Sequence, residues 1–212
     1  MSFGMVAASY LAVAEPTPLS AWGFSEGSGS TAGSQSGSYR LTADNPGTAW
    51  GTSKAGNGTC AASEFTGVLG TALPSWTIQF DVFINSLNDW SSIIEIASEE
   101  FYIEFNGTGR FDVFLGGSDG EALLTPNLNT GIWYNIAVTH DHDLEQTLIY
   151  RDTTLAATKN HTATTGTVNF GLSVEVCGSS GGPFDGKVDN LRLFGNVLTQ
   201  SEIAQLAGTP VS

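Results

Sequence analysis

Short segments in which hydrophobic and polar residues alternate recur along most of the chain. Alternation with a period of two is typical of strands that have one buried face, because successive side chains point to opposite faces of a sheet. So many short strands, without helices between them, indicate two antiparallel sheets packed face to face. The pattern predicts strands at 19–27, 60–65, 75–84, 91–97, 101–105, 110–116, 132–140, 146–152, 167–172, 173–178 and 186–194.

Turn and cap residues agree with this prediction. Asn106-Gly107 predicts a tight hairpin between two of the strands. Near the C-terminus, Thr199 and Glu202 predict a capping box at the start of a short helix, which Gly208 ends. No internal repeat of fixed period is present, which argues against a propeller or a solenoid. The predicted fold is therefore all-β, a two-sheet antiparallel jelly-roll sandwich with a short C-terminal helix.

An apolar segment precedes the first predicted strand. Residues 1–18, MSFGMVAASYLAVAEPTP, end in a proline-rich stretch, so we divide the chain into an N-terminal arm (1–18) and one sandwich domain (19–212). Ala-Val-Ala precedes Glu15 like a signal-peptide cleavage site, but the basic residues of a signal peptide are missing, since the first Arg or Lys is Arg40. We expect the arm to pack against a partner. The Gly/Ser-rich run at 27–38 is expected to be a surface loop.

The charge balance restricts the partners further. Twenty-one acidic residues against 7 basic ones give a formal net charge of −14, which repels polyanions and leaves no basic patch for phosphate groups. Nucleic acid is therefore not an expected partner. Membrane insertion is not expected either, because no apolar run approaches the roughly 18 residues of a membrane span. The two cysteines, Cys60 and Cys177, could form one disulfide or remain buried thiols.

Several segments, taken in chain order, resemble one superfamily. They are AWGFSEGSGSTAGSQSG, SWTIQFDVFI, GIWYNIAVTHD, LIYRDTTLAAT and FDGKVDNLRLFGNVLTQSEIAQL. Their order is similar to that in laminin-G-like domains of the concanavalin-A-like lectin/glucanase superfamily, and the resemblance covers residues 20–208. It implies a lectin-like sandwich in which the last strand returns to the first and the helix caps one open end of the core. Residues 151–154 (RDTT) depart from the usual Asp-Gly, so a longer or differently bent hairpin is expected there.

The resemblance also implies a structural calcium ion. In similar domains the ion lies where the opening and closing segments meet, held by acidic side chains and backbone carbonyls. Glu26 and Asp189 match those positions, and Asp44 is a supplementary candidate ligand. The alternative is that these acids are simply exposed on their strands.

Aromatic residues in polar loops are the candidates for carbohydrate binding. A sugar ring stacks on an aromatic face while nearby amide and carboxylate groups bond its hydroxyls. Trp50 and Trp90 lie in such loops, and Asn88 and Asp89 stand beside the second. The alternative is that both tryptophans fill gaps between a loop and the core.

No catalytic constellation is predicted. The resemblance leads us to look for Glu-x-Asp-x-x-Glu or Glu-x-Asp-x-Glu on one strand, as in glucanases of the superfamily, but Ala97 takes the place of the Asp between Glu95 and Glu99. Residues 140–143 (HDHD) look like a metal cluster, yet they fall at a predicted hairpin tip, where polar residues are ordinary. We therefore expect a protein that is not an enzyme.

The first residues suggest a role. MSFGMVAASYL resembles the N-termini of minor tail proteins from tailed phages that infect actinobacteria, in which such an arm precedes a lectin-like domain. The leading hypothesis is a phage virion protein, a minor tail or decoration protein, which contacts other virion proteins through residues 1–18 and adheres to host-surface glycans. The alternative is a carbohydrate-binding module of a secreted, extracellular bacterial protein. A homo-oligomer is left open.

Overall fold

Strands dominate the part of the chain that the computed structural model describes, namely residues 14–52, 54, 60–61 (backbone only), 63–88, 90–96, 101–116, 122–123, 127–162, 166–178 and 184–211. The strands are β1 Ser20–Trp22, β2 Thr31–Gly33, β3 Arg40–Ala43, β4 Cys60–Ala61, β5 Phe65–Gly67, β6 Ala72–Leu73, β7 Trp76–Ile84, β8 Ser91–Ile96, β9 Phe101–Phe105, β10 Phe111–Phe114, β11 Ala122–Leu123, β12 Trp133–Asp141, β13 Gln146–Arg151, β14 Thr154–Asn160, β15 Val168–Asn169, β16 Val174–Val176 and β17 Gly186–Phe194. The helix α1 is Gln200–Ala207.

The strands form two large antiparallel sheets. In the seven-stranded sheet β1, β17, β7, β12, β13 and β14 lie side by side in this order, and β4 pairs with the other end of β17 on the side of β1. The eight-stranded sheet has the order β11, β10, β9, β8, β16, β5, β3 and β2, and β6 pairs with β15 in a small ribbon. The last strand lies beside the first, as the resemblance implied. The predicted two-sheet sandwich is confirmed.

The hydrophobic core lies between the two large sheets. Each long central strand contributes every second residue to it, as Ile78, Phe80 and Val82 do in β7. Because burial of each large apolar side chain contributes about 1.5–3 kcal/mol, this alternation accounts for much of the stability of the sandwich. The largest fully buried side chains are Trp22, Phe24, Phe65, Trp76, Phe80, Phe101, Phe105, Phe111, Phe170 and Phe194.

The C-terminal helix begins with the predicted capping box. The Glu202 backbone N–H donates to the Thr199 hydroxyl over 3.3 Å, and the Thr199 backbone N–H donates to the Glu202 carboxylate over 2.7 Å. These two bonds satisfy backbone donors that the first helical turn cannot satisfy itself. No helix among the described residues has the length and apolar composition needed to span a bilayer.

The position of α1 differs from the one that the resemblance implied. Ile203 and Leu206 pack with Ala137 and Tyr150, in a cluster separate from the main core. Ala137 alternates along β12 with core residues, so it lies on the outer side of the seven-stranded sheet. The helix therefore covers this side of the sheet and not an open end of the sandwich.

The strand predictions also differ from the structure in several places, since β2, β3, β6, β11 and β14 lie outside the predicted strands. The Gly/Ser-rich run at 27–38 contains β2, an edge strand whose short polar sequence shows no clear alternation, although Ala32 in it is buried. Residues 60–65 belong to two strands in different sheets, since β4 pairs with β17 and β5 with β3 and β16. The alternation within six residues does not reveal that the chain passes from one sheet to the other.

Of the two cysteines, Cys177 is disulfide-bonded.

The hairpin between β13 and β14 is tight, not long. Arg151 pairs with Thr154, so the loop consists of Asp152 and Thr153, whose φ angles are 49° and 69°. Two residues at positive φ are what a type I′ turn requires. Asp152 tolerates this conformation and its carboxylate accepts the backbone N–H of Asn135 over 3.0 Å. Thr153 is β-branched, and such residues are strained at positive φ.

Replacing Thr153 with glycine should therefore stabilise the fold. We expect Thr153→Gly to raise the free energy of unfolding by about 0.5–1 kcal/mol, because relief of the left-handed strain exceeds the added chain entropy of glycine. Urea denaturation at neutral pH measures the change. Asp152→Ala is the matched control and should destabilise, since it removes the acceptor of the Asn135 N–H. A Thr153→Gly variant less stable than the wild type would contradict the assigned strain.

Candidate functional site

The side chains of the eight-stranded sheet that point away from the core lie on one side of it, which we call the outer face. Strand register determines its members, because residues directly opposite one another on paired strands share a face. Glu95 and Tyr102 are opposite each other, while their neighbours Ile94 and Ile103 lie in the core. One row across this face is Phe114, Tyr102, Glu95, Glu175, Thr66, Thr42 and Thr31, and a shorter row is Leu123, Asp112, Glu104 and Ser92.

An exposed tryptophan, the residue directly before β8, lies at the end of the outer face where this central strand begins. Trp90 is 39% exposed and has a φ of 54°, which is rare for a large aromatic residue. The Arg110 guanidinium lies 5.4 Å from the centre of the indole ring. Arg110 in turn donates to Asp112 from Nε over 3.0 Å and from Nη2 over 2.6 Å, and the Asp112 side chain is fully buried. We call these three residues the Trp90 corner.

The middle of the outer face holds two carboxylates. Glu95 on β8 lies directly opposite Glu175 on β16, and like charges in such a position destabilise a sheet. Burial raises the pKa of Glu175, and the neighbouring acids Glu64, Glu95 and Asp44 raise it further. Glu95 itself is only 2% exposed. Glu175 was not predicted from the sequence, because it is far from Glu95 in the chain and only the strand pairing brings the two residues together.

The two tryptophans predicted to bind sugar have different environments in the structure. The Trp50 indole N–H donates to the Gly29 carbonyl over 2.8 Å, and the ring packs edge-on against Phe65 at 5.3 Å. Trp50 therefore closes a loop over the core, which was the alternative raised for it. Asn88 is half-buried beside the Trp90 corner in the chain, and Asp89 lies outside the described residues.

The predicted calcium ligands lie in different environments. Glu26 is exposed and accepts the Gly33 backbone N–H over 2.8 Å, and Asp44 is exposed. Asp189 is buried, and its two carboxylate oxygens accept the backbone N–H groups of Asn190 over 2.8 Å and of Lys54 over 3.3 Å. Within the described part of the chain, no group of three His, Cys, Asp or Glu side chains is arranged to hold a metal ion. These three residues as placed do not fit one shared cation, and calcium binding stays a prediction.

Asp189 belongs to a buried network on the outer side of the seven-stranded sheet. Its strand partner Asp81 accepts hydrogen bonds from Lys54 Nζ over 3.1 Å, Asn135 Nδ2 over 3.0 Å and Asn190 Nδ2 over 2.9 Å. Burial raises the pKa of Asp189 to about 6, and the charge of Asp81 adds to this rise. A pocket of about 190 Å³ lies above the network, between Lys54 and the end of α1.

The residues of the candidate metal cluster at 140–143 have separate roles in the structure. His140 is buried against Trp76, and burial together with His161 lowers the pKa of His140 to about 4, so the ring is neutral. Its Nδ1 lies 3.0 Å from the Thr147 hydroxyl. Asp141 instead accepts backbone N–H groups of the following turn, so residues 140–143 serve the core and a turn. Residues 97–100, including Glu99, lie outside the described residues.

The model of one family matches residues 54–204, most of the chain, and its description is the concanavalin A-like lectin/glucanases superfamily. The chain belongs to this superfamily. The match confirms the resemblance recognised in the sequence motifs and agrees with the two-sheet fold. No curated protein sequence matches the chain.

Solved structures share the fold at low sequence identity. A proposed carbohydrate binding protein from Bacteroides ovatus is 20% identical, with a TM-score of 0.54, over 64% of this chain and 41% of that one. The Ruminococcus gnavus IT-sialidase CBM40, bound to sialyllactose, is 18% identical, with a TM-score of 0.52, over 65% and 84%. The binding domain of botulinum neurotoxin serotype G is 13% identical, with a TM-score of 0.69, over 90% and 50%. This chain thus spans half or less of two of these three chains.

Removing the Glu175 charge should stabilise the protein. We expect Glu175→Gln to raise the free energy of unfolding at pH 7 by a few tenths to about 1 kcal/mol, because Glu175 is part-exposed and opposes another carboxylate. The folded-state pKa is raised, so the wild-type penalty grows as the pH rises through that pKa and disappears below the unfolded value of 4.5. Urea denaturation at pH 7 and pH 4 measures both effects.

The control for this experiment is Asp143→Asn. It removes one negative charge from an exposed turn of the other sheet. An equal gain in the control would attribute the effect to net charge and not to the Glu95–Glu175 pair.

Proposed function

We propose that the chain is a glycan-binding domain without catalytic activity and that the Trp90 corner is the centre of its binding site. The observation that carries this proposal is the exposed indole of Trp90, held at positive φ beside a fixed guanidinium. An aromatic ring that reaches solvent offers an apolar surface on which a pyranose can stack. Glu104 on β9, which is part-exposed and lies opposite Asp112 on β10, places carboxylate oxygens nearby for sugar hydroxyls.

The backbone strain at Trp90 supports a functional assignment. A bulky residue in the left-handed region costs of order 1–3 kcal/mol and persists only where its surroundings enforce it. Arg110, itself fixed by the buried Asp112, contacts the ring and contributes cation–π attraction. The ring is thus oriented before any ligand arrives, which reduces the entropy lost on binding.

The absence of catalysis is part of the proposal. A retaining glycosidase needs two carboxyl groups about 5 Å apart that both reach the sugar. Glu95 and Glu175 are opposite each other, but Glu95 is 2% exposed and does not offer a nucleophile to a bound chain. Similarity to the B. ovatus protein and to the CBM40 module, both described by carbohydrate binding, supports a binding role for this chain.

We further propose that the domain belongs to a phage virion and is attached through residues 1–18. The described end of this arm lies against the domain, where the Ser36 hydroxyl donates to the Pro18 carbonyl over 2.8 Å, beside the edge strands β1 and β2. Four strand spacings, about 19 Å, separate β2 from β8, which Trp90 precedes. Such a separation allows the arm to be held in an assembly while the Trp90 corner faces a host glycan. The alternative remains a secreted bacterial carbohydrate-binding module.

Trp90→Ala should weaken glycan binding without unfolding the protein. Loss of a stacking platform costs a few kcal/mol of binding energy, so we expect a weakening of at least tenfold to a hundredfold in Kd, measured by calorimetry with a glycan selected on an array. Leu144→Ala is the control, because Leu144 is also apolar and 67% exposed but lies in a turn of the other sheet. Equal affinities for the wild type and Trp90→Ala would refute the site.

Removal of the arm tests the virion hypothesis. We expect a protein of residues 19–212 to fold, because the core and both sheets lie within that range, but to lose incorporation into particles. Unimpaired incorporation would exclude the arm as the attachment segment.

The mass of the mature chain distinguishes the virion hypothesis from the secreted-module hypothesis. Cleavage after Ala14 would favour secretion, and an intact N-terminus would favour the virion.

A further inference from the structure

We infer that the glycan bound at the Trp90 corner is uncharged and that this site excludes sialylated and sulfated sugars. The inference rests on the proposed glycan-binding function and names the class of ligand. It follows from where the chain places its few cations and its many carboxylates.

Most cations of the chain lie away from the outer face. The sequence has only 7 Lys and Arg residues, and all of them are among the described residues. Five belong to the seven-stranded sheet or to contacts with it, and they are Lys54, Arg151, Lys159, Lys187 and Arg192. The eight-stranded sheet and its loops have Arg40 and Arg110. Arg40 lies in β3, three strand spacings or about 14 Å from β8, which Trp90 precedes, and five spacings or about 24 Å from β10, which Arg110 precedes.

Arg110, the cation at the site, is already neutralised. Its Nε and Nη2 both donate to Asp112, whose side chain is fully buried beneath it. A sugar carboxylate or sulfate is recognised best by a guanidinium whose paired donors are available. An anionic ligand here would have to draw Arg110 away from Asp112 and leave a buried carboxylate without its cation, which is costly.

The remaining charges near the site are negative. Glu104 lies opposite Asp112 on the outer face, and the neighbouring row of that face holds the Glu95–Glu175 pair. The rise in the pKa of Glu175 comes, after burial, from acidic neighbours alone. An anion bound at the Trp90 corner would meet repulsion from these groups and from the net charge of −14.

The exclusion does not come from the fold. The CBM40 module, which shares this architecture, is bound to sialyllactose. A lectin-like sandwich can therefore hold an acidic sugar, and discrimination against such sugars in this chain depends on its own side chains.

A glycan array with matched pairs tests the inference on the full chain. Each pair consists of a neutral oligosaccharide and its sialylated or sulfated counterpart, for example lactose and 3′-sialyllactose. We expect binding to neutral members, with at least a tenfold larger Kd for the charged partner, equivalent to about 1.4 kcal/mol. The ratio should shrink in high salt, which screens the repulsion. Equal or tighter binding of the charged partners would overturn the inference and leave glycan binding intact. Binding to no glycan would overturn the proposed function as well.

A charge-reversal variant identifies the cause. Glu104→Lys should reduce the discrimination between the two members of a pair, because it removes a carboxylate next to Asp112 and adds a cation there. Asp143→Lys makes the same change of net charge in an exposed turn of the other sheet and should leave the discrimination unchanged. Equal effects of the two variants would assign the selectivity to net charge and overturn the site-specific inference.

Discussion

The structure on the outer side of the seven-stranded sheet depends on the hydrogen bonds to one buried carboxylate, that of Asp81. Its three partners come from three places in the chain, namely Lys54 in a loop, Asn135 on β12 and Asn190 on β17. Removing one partner of a buried charge lowers the free energy of unfolding by about 3–5 kcal/mol. The three partners are therefore all held in place by the same carboxylate. Asn190 extends the network further, because its side-chain oxygen accepts the backbone N–H of Val211 over 2.9 Å. One carboxylate thereby fixes three elements and the C-terminal segment.

The network also restricts which surface of the sandwich is exposed. Together with α1 it covers the outer side of the seven-stranded sheet. Each large sheet contains two acids directly opposite each other on neighbouring strands, and the two pairs are treated differently. Asp81 and Asp189 are surrounded by amide donors and Lys54, whereas the charges acting on Glu175 are acidic. The first pair is stabilised by these partners, whereas the second pair lies on the outer face with the Glu95 side chain almost fully buried.

How far the sequence predicts this molecule depends on the range of each interaction. Alternation and the Thr199 capping box are local, and they predicted the long strands β7, β8, β9, β12, β13 and β17 and the start of the helix, but not the strands β3, β11 and β14. The pairing of Glu95 with Glu175 depends on strand order, which no local pattern encodes. Asp189 was recognised as unusual, but its partner Lys54 is 135 residues away. The two loop tryptophans look alike in sequence, and only the contact of Trp50 with Gly29 separates them.

Backbone strain provides an independent line of argument for the outer face. Trp90 and Cys177 both have positive φ, at 54° and 57°, although neither residue type favours that region. Trp90 immediately precedes β8 and Cys177 immediately follows β16, and since these strands are antiparallel neighbours, both residues lie at the same end of the pair. The Cys177 backbone N–H donates to the carbonyl of Ile93 on β8 over 2.9 Å, which holds this end together. Two strained residues thus flank the strands that bear Glu95 and Glu175. Strain and like-charge repulsion both lower stability, and they coincide on the part of the outer face where the proposed binding site lies.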